Sequence, residues 1–139
     1  MSPTQWASLR YFHREEFISP DTRTEDMNAQ FLLNLDELRA MAGFAFHINS
    51  GWRSKAHNHA LGGAAHSAHL EGLAVDIAVY GEQAFKLLDQ ISEFNSAQGV
   101  PYFTGIGIKQ TGTPKSRFIH LDAAKAIEGV RPRPTVWSY

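Results

Sequence analysis

The sequence predicts an α+β domain: a small, largely antiparallel sheet with helices packed on it. Two long segments repeat apolar residues at three- and four-residue steps, the helical period. They hold Phe31, Leu32, Leu35, Leu38 and Met41, and then Phe85, Leu88, Ile91 and Phe94. Four short segments alternate apolar and polar positions with the period of a strand. The order of these elements along the chain points to helices on one small sheet.

A chain of 139 residues with 43% hydrophobic and 19% charged side chains is an ordinary globular mixture. It is read as one domain, 1–139, long enough to bury a core without staples. A formal charge of -1 supplies no basic field, which argues against a protein that grips nucleic acid. There is no cysteine, so disulfides and thiolate metal sites are excluded, and a metal would need His, Asp, Glu or water. Met1 to Phe12 has no cationic segment followed by an apolar run, so the expectation is synthesis in the cytoplasm without a signal peptide. No stretch approaches the roughly 20 apolar residues of a membrane span.

An N-terminal arm runs to about Thr24 and contains Phe12, Phe17 and the turn-forming Ser19-Pro20-Asp21. Thr24 reads as the N-cap of the first long helix, with Glu25 and Asp26 in its first turn and its end near Gly43. Phe44 to Asn49 alternates as a strand and is broken by Ser50-Gly51. A short helix is expected from Lys55 to Leu61, closed by Gly62-Gly63. Leu73 to Val79 is the second strand, and Gly81 to about Ala97 the second long helix. Thr104 to Lys109 and Arg117 to Asp122 are two further strands. The Arg131-Pro132-Arg133-Pro134 stretch is expected to be extended, with Trp137 tucked back onto the surface.

Chemistry concentrates around the second strand. Leu73, Val75, Ile77 and Val79 share its core face, which leaves Ala74, Asp76 and Ala78 on the other. A carboxylate among alanines in an apolar strand is costly to bury unless a cation or several donors meet it. Asp76 is therefore a candidate ligand at the floor of a site, although a hydrogen-bonded structural Asp is the ordinary reading of one such residue. The last strand repeats the pattern, with Phe118, His120 and Asp122 opposite Ile119 and Leu121. A lone histidine there is more often a satisfied core residue, and two such strands together weaken that reading. His69 lies on a loop before Gly72 that can fold an imidazole over Asp76. A His-Asp-His set with one open position is a plausible catalytic zinc site.

These residues, with their neighbours, resemble a known family. Phe12 to Pro20 reads F-x-x-x-E-F-x-x-P; Ser50-Gly51-Trp52-Arg53-Ser54, His57-Asn58 and Gly62-Gly63 follow. Ser67-x-His69-x-x-Gly72-x-Ala74-x-Asp76-Ile77 and Phe118-Ile119-His120-Leu121-Asp122 complete the order. The chain is similar, over most of its length, to zinc D-alanyl-D-alanine carboxypeptidases and phage L-alanyl-D-glutamate endolysin peptidases, whose fold is shared with the hedgehog signalling domain.

The resemblance implies one zinc ion held by His69, Asp76 and His120. It implies that Arg53 reaches into the cleft to bind a substrate carboxylate or carbonyl and steady an oxyanion. Ser67 and Asn58 would support the substrate-binding loops. Many relatives place a Glu or Asp three residues before the last histidine as general base; here that position is Arg117. Asp122 is the first candidate to replace it, equally placed to orient His120 instead, and His66 is the second. His57 and His59 either line the cleft or sit on the short helix, and His13 and His47 are read as structural.

The function expected is hydrolysis of peptide bonds in peptidoglycan stem peptides by a monomer, as in a phage-type endolysin or virion-borne lysin acting after release. The alternatives are a bacterial D-Ala-D-Ala carboxypeptidase and a non-catalytic zinc-binding module, since fold does not fix activity.

Overall fold

The computed structural model describes all residues from Met1 to Tyr139. Its first helix, α1 (Pro3–Ala7), was not foreseen in the sequence. Ser2 caps it, accepting from the Gln5 N–H while the Gln5 side chain accepts from the Ser2 N–H, and the helix buries Trp6.

Helix α2 spans Ala29–Ala42 and ends at Gly43, whose φ of 75° is left-handed. Its N-cap is Asn28, which accepts from the Phe31 N–H at 2.9 Å, and not the expected Thr24. Thr24 instead forms an isolated antiparallel bridge with Ser19, so Glu25 and Asp26 precede the helix. The start of α2 is set from a distance, because the Asn28 N–H donates to the Gly72 carbonyl. A side chain at Gly72 would overlap the Asp26 carbonyl, and its φ of 69° is left-handed.

Strand β1 is His47–Ser50, shorter than expected; Phe44 and Phe46 precede it and pack against each other with ring centroids 5.4 Å apart. Helix α3 is Lys55–Ala60, capped by Ser54. Strand β2 (Ala74–Ala78) leads into α4 (Gly81–Gln98), and β3 (Gly105–Lys109), β4 (Phe118–Asp122) and β5 (Thr135–Ser138) follow. Helix α4 buries Ala84, Leu87, Ile91 and Phe94, a clean stripe at three- and four-residue steps. Phe85, expected inside, is 77% exposed, and Leu88 is only half-buried. The stripe that includes Ile91 and Phe94 passes through Leu87 and Ala84, which rotates Phe85 outward.

The strand order is β1-β2-β4-β3-β5, antiparallel throughout except for β3 and β5. Strand β5 follows the Arg131–Pro134 stretch that was expected to be extended, and no strand was expected there. It adds to the free edge of β3, and Trp137, expected on the surface, is half-buried opposite Gly107. Val75, Ile77, Ile119 and Leu121 are fully buried on one face of the sheet, in a single core cluster with α2 and α4 residues. The other face carries Asp76, His120 and Asp122, with Gly105 and Gly107 beside them in register.

Candidate metal centre

Strands β2 and β4 pair so that Asp76 faces His120 directly, while Ala74 faces Asp122. His69 comes from a 3₁₀ turn, Ala68–Glu71, that precedes β2 and ends in the left-handed Gly72. Ser67 caps that turn by accepting from the His69 N–H at 3.3 Å. The turn is tied to the loop after β1, since the Arg53 N–H donates to the His69 carbonyl and the Trp52 indole donates to the Leu70 carbonyl. One ligand atom from each of His69, Asp76 and His120 lies within 4.8 Å of the others, and all three residues are buried.

Hydrogen bonding sets the tautomers. His69 Nδ1 lies 2.7 Å from the Gly51 carbonyl, which only accepts, so Nδ1 carries the proton and Nε2 presents a lone pair. His120 presents a ring nitrogen to each of two carboxylates, Nε2 outward to Asp122 at 2.7 Å and Nδ1 inward to Asp76, so when its proton sits on Nε2 the inward Nδ1 is a free ligand atom. Both inward nitrogens meet the same Asp76 oxygen, His69 Nε2 at 3.2 Å and His120 Nδ1 at 2.9 Å. With both imidazoles neutral and the His120 proton on Nε2, three lone pairs converge on one point. A cation satisfies that arrangement, and two imidazole nitrogens with one carboxylate oxygen form a donor set suited to zinc.

The charges respond accordingly. Burial pushes the Asp76 carboxyl up, but bonds from His120 and His69 outweigh it and hold the group well below the ordinary carboxylate range. Burial also pushes Asp122 up, and bonds from His120 and Arg133 bring it down to about 2. The histidines separate. Burial prevails at His69 and lowers it, whereas at His120 bonds to Asp122 and Asp76 overcome burial and raise it.

Arg53 lies beside the cluster. Its Nη2 donates to the second Asp76 oxygen at 3.1 Å, its Nη1 to Asn58 at 3.3 Å and its Nε to Ser50 at 3.0 Å. Ser50 is placed by an irregularity in β1: the register shifts between Ile48 and Ser50, which sets Ser50 opposite Asp76. Asn58 is buried and donates to the Ala64 carbonyl at 2.9 Å.

The structure thus brings His69, Asp76, His120, Asp122, Arg53, Asn58 and Ser67 into one bonded neighbourhood. His66 stays exposed on the loop, and its carbonyl accepts from Arg131. His13 and His47, read as structural, are exposed, because neither has a buried partner to hold it inward. His57 is half-buried and His59 exposed, both on α3. Arg117 donates to the Gly112 carbonyl through Nε and Nη2, a loop-closing role on the strand side of Ile119.

Sequence reasoning missed Arg133 and Trp137. Arg133 donates to both Asp122 oxygens, and the Trp137 ring packs 5.1 Å from His120, centroid to centroid. The signal available was the Gly105-x-Gly107 alternation, which clears one face of a strand for something bulky. A side chain at Gly107 would come within 2.7 Å of the indole.

No helix is long and apolar enough to cross a membrane. No curated protein sequence matches the chain. The family model for Peptidase M15 matches residues 10–122, which contain the three candidate ligands, Arg53 and Asn58 and end at Asp122. By that match over most of its length, the chain belongs to the M15 peptidase family, whose members are zinc-dependent.

Proposed function

We propose that this protein is a zinc peptidase that hydrolyses peptide bonds in the stem peptides of bacterial peptidoglycan, in the manner of a phage-type endolysin or virion-borne lysin. The observation that carries this reading is the buried convergence of His69 Nε2, His120 Nδ1 and an Asp76 carboxylate oxygen, in a chain of the M15 family. A zinc ion there would supply Lewis acidity toward the scissile carbonyl.

The chain's own residues divide the remaining work. Arg53 offers a fork of donors, and its side chain is 13% exposed at the edge of the cluster. It binds a substrate carboxylate or carbonyl and steadies the charge that develops on the carbonyl oxygen. Asn58 and Ser50 hold the guanidinium in place, and Ser67 holds the turn that carries His69. Asp122 orients His120 rather than accepting a proton from water, because it has no exposed surface and both its oxygens are bonded. His66, three residues before His69, is the remaining candidate for proton transfer, as an exposed imidazole on the loop that leads to a metal-cluster residue.

The test is digestion of purified peptidoglycan by zinc-loaded protein, with products identified by mass spectrometry. New amino termini in the stem peptides are expected, abolished by chelation and by His120→Ala but retained in the exposed-surface control His13→Ala. Released D-alanine without internal cleavage would make the protein a carboxypeptidase. No release from several wall chemotypes by folded, zinc-loaded protein would overturn the assignment in favour of a non-catalytic zinc module.

A further inference from the structure

Asp122 has no exposed surface, yet it is a carboxylate with four donors around it. His120 Nε2 and Arg133 Nη2 each reach Oδ2 at 2.7 Å. Arg133 Nε reaches Oδ1 at 3.0 Å, and the Ala124 N–H reaches it at 3.1 Å. Arg133 therefore grips the carboxylate with a two-point fork, which fixes the plane of the group as well as its charge.

The arginine is itself held. Its side chain is 9% exposed, its Nη1 donates to the Pro132 carbonyl at 2.7 Å, and its guanidinium lies 5.2 Å from the centre of the Trp137 ring. Trp137 occupies the space left by Gly107 and packs against His120. Arg133 and Trp137 thus come from the segment after Asp122, which lies beyond the residues that match the family.

We propose that Arg133 is a positioning residue of the metal centre: acting through Asp122, it fixes His120 with its proton on Nε2 and presents Nδ1 to the ion beside Asp76 and His69. This rests on the reading of those three residues as a metal site. A carboxylate held by His120 alone could rotate, and the imidazole with it. The arginine fork removes that freedom at Asp122, and the indole blocks the ring from swinging toward β5. The competing role is purely structural, in which Arg133 only neutralises a buried charge.

The experiment compares zinc affinity, by competition with a chromophoric chelator, in wild type, Arg133→Met, Arg133→Lys and the control His13→Ala. Circular dichroism establishes that each variant is folded. Disruption of groups that orient a ligand histidine typically weakens metal binding by roughly 10–100-fold. A loss in that range is expected for Arg133→Met. Arg133→Lys, which keeps the charge and loses the fork, is expected to remain several-fold weaker than wild type.

A purely structural role would leave folded Arg133→Lys with wild-type zinc affinity, and that result overturns the proposal. Nitrogen-15 NMR of zinc-loaded wild type supplies a readout that needs no variant. His120 is expected to show a slowly exchanging proton on Nε2, and a proton on Nδ1 instead would overturn the proposal. Wild type that binds no zinc at all would sink the metal-site reading itself, an outcome distinct from zinc binding that ignores Arg133.

Discussion

Asp76 and His120 stand directly opposite each other on β2 and β4, and His120 Nδ1 lies 2.9 Å from the carboxylate. Adjacent antiparallel strands hold that distance with the backbone, so the spacing of two of the three candidate ligands does not depend on a loop. The third, His69, depends on the turn that precedes β2 and on its bond to the Gly51 carbonyl.

Zinc should stabilise the folded chain strongly, because an ordered three-ligand site exists only in the native state. At an ion concentration of 100 times the dissociation constant the gain is about 2.7 kcal/mol. Differential scanning calorimetry should show a zinc-dependent rise in the midpoint for wild type. Asp76→Ala should abolish that rise, and a persistent rise in this variant would place the ion elsewhere.

Acid should weaken the zinc-free protein over a defined window. Asp122 is held at about 2 in the folded state against an ordinary value of 3.8, so it contributes stability above about 4 that is lost as pH falls toward 2. The contribution is on the order of 2 kcal/mol. Urea unfolding at stepped pH should show wild type losing stability through this window, and Asp122→Asn should be flatter there. His69 and His120, the two candidate ligand histidines, shift in opposite directions, so the acid limb is the cleaner measurement.

Gly105→Ala should damage the centre from the neighbouring strand. The added methyl would overlap the Asp122 carboxylate, which is packed against that glycine with no room to withdraw. Overpacking of this kind typically costs about 1–3 kcal/mol. The expected outcome is a lower unfolding midpoint in urea together with weaker zinc binding. Wild-type values for both would mean that Asp122 can move without consequence.

Arg53→Lys should separate catalysis from metal binding. Lysine keeps the positive charge but cannot donate at once to Asp76, Asn58 and Ser50 as Arg53 does. Loss of one such charge-stabilising donor costs roughly 10²–10³ in turnover. Steady-state kinetics on a defined muropeptide should show that loss with zinc content unchanged. Equal turnover in the variant would remove Arg53 from the reacting centre.

Much of this centre follows from local sequence, because a strand's two-residue period assigns each side chain to a face. That rule alone sets Asp76 apart from Val75 and Ile77, and His120 with Asp122 apart from Ile119 and Leu121. Helical stripes are legible for the same reason. The misplacement of Phe85 shows the tolerance of that reading, since a shift of one residue still leaves Ile91 and Phe94 on the inner face.

What local pattern cannot reach is anything decided by a distant partner. Asn28 starts α2 in place of Thr24 because Gly72 receives its backbone N–H. Strand β5 forms because the edge of β3 is free to pair, and neither Arg133 nor Trp137 carries a periodic mark that reveals it. The sequence by itself determined which residues could be ligands and which face they share. Only the tertiary structure decided which groups meet each imidazole nitrogen and buried Asp122 beneath Arg133, because those depend on hydrogen bonds between segments that meet when the sheet closes.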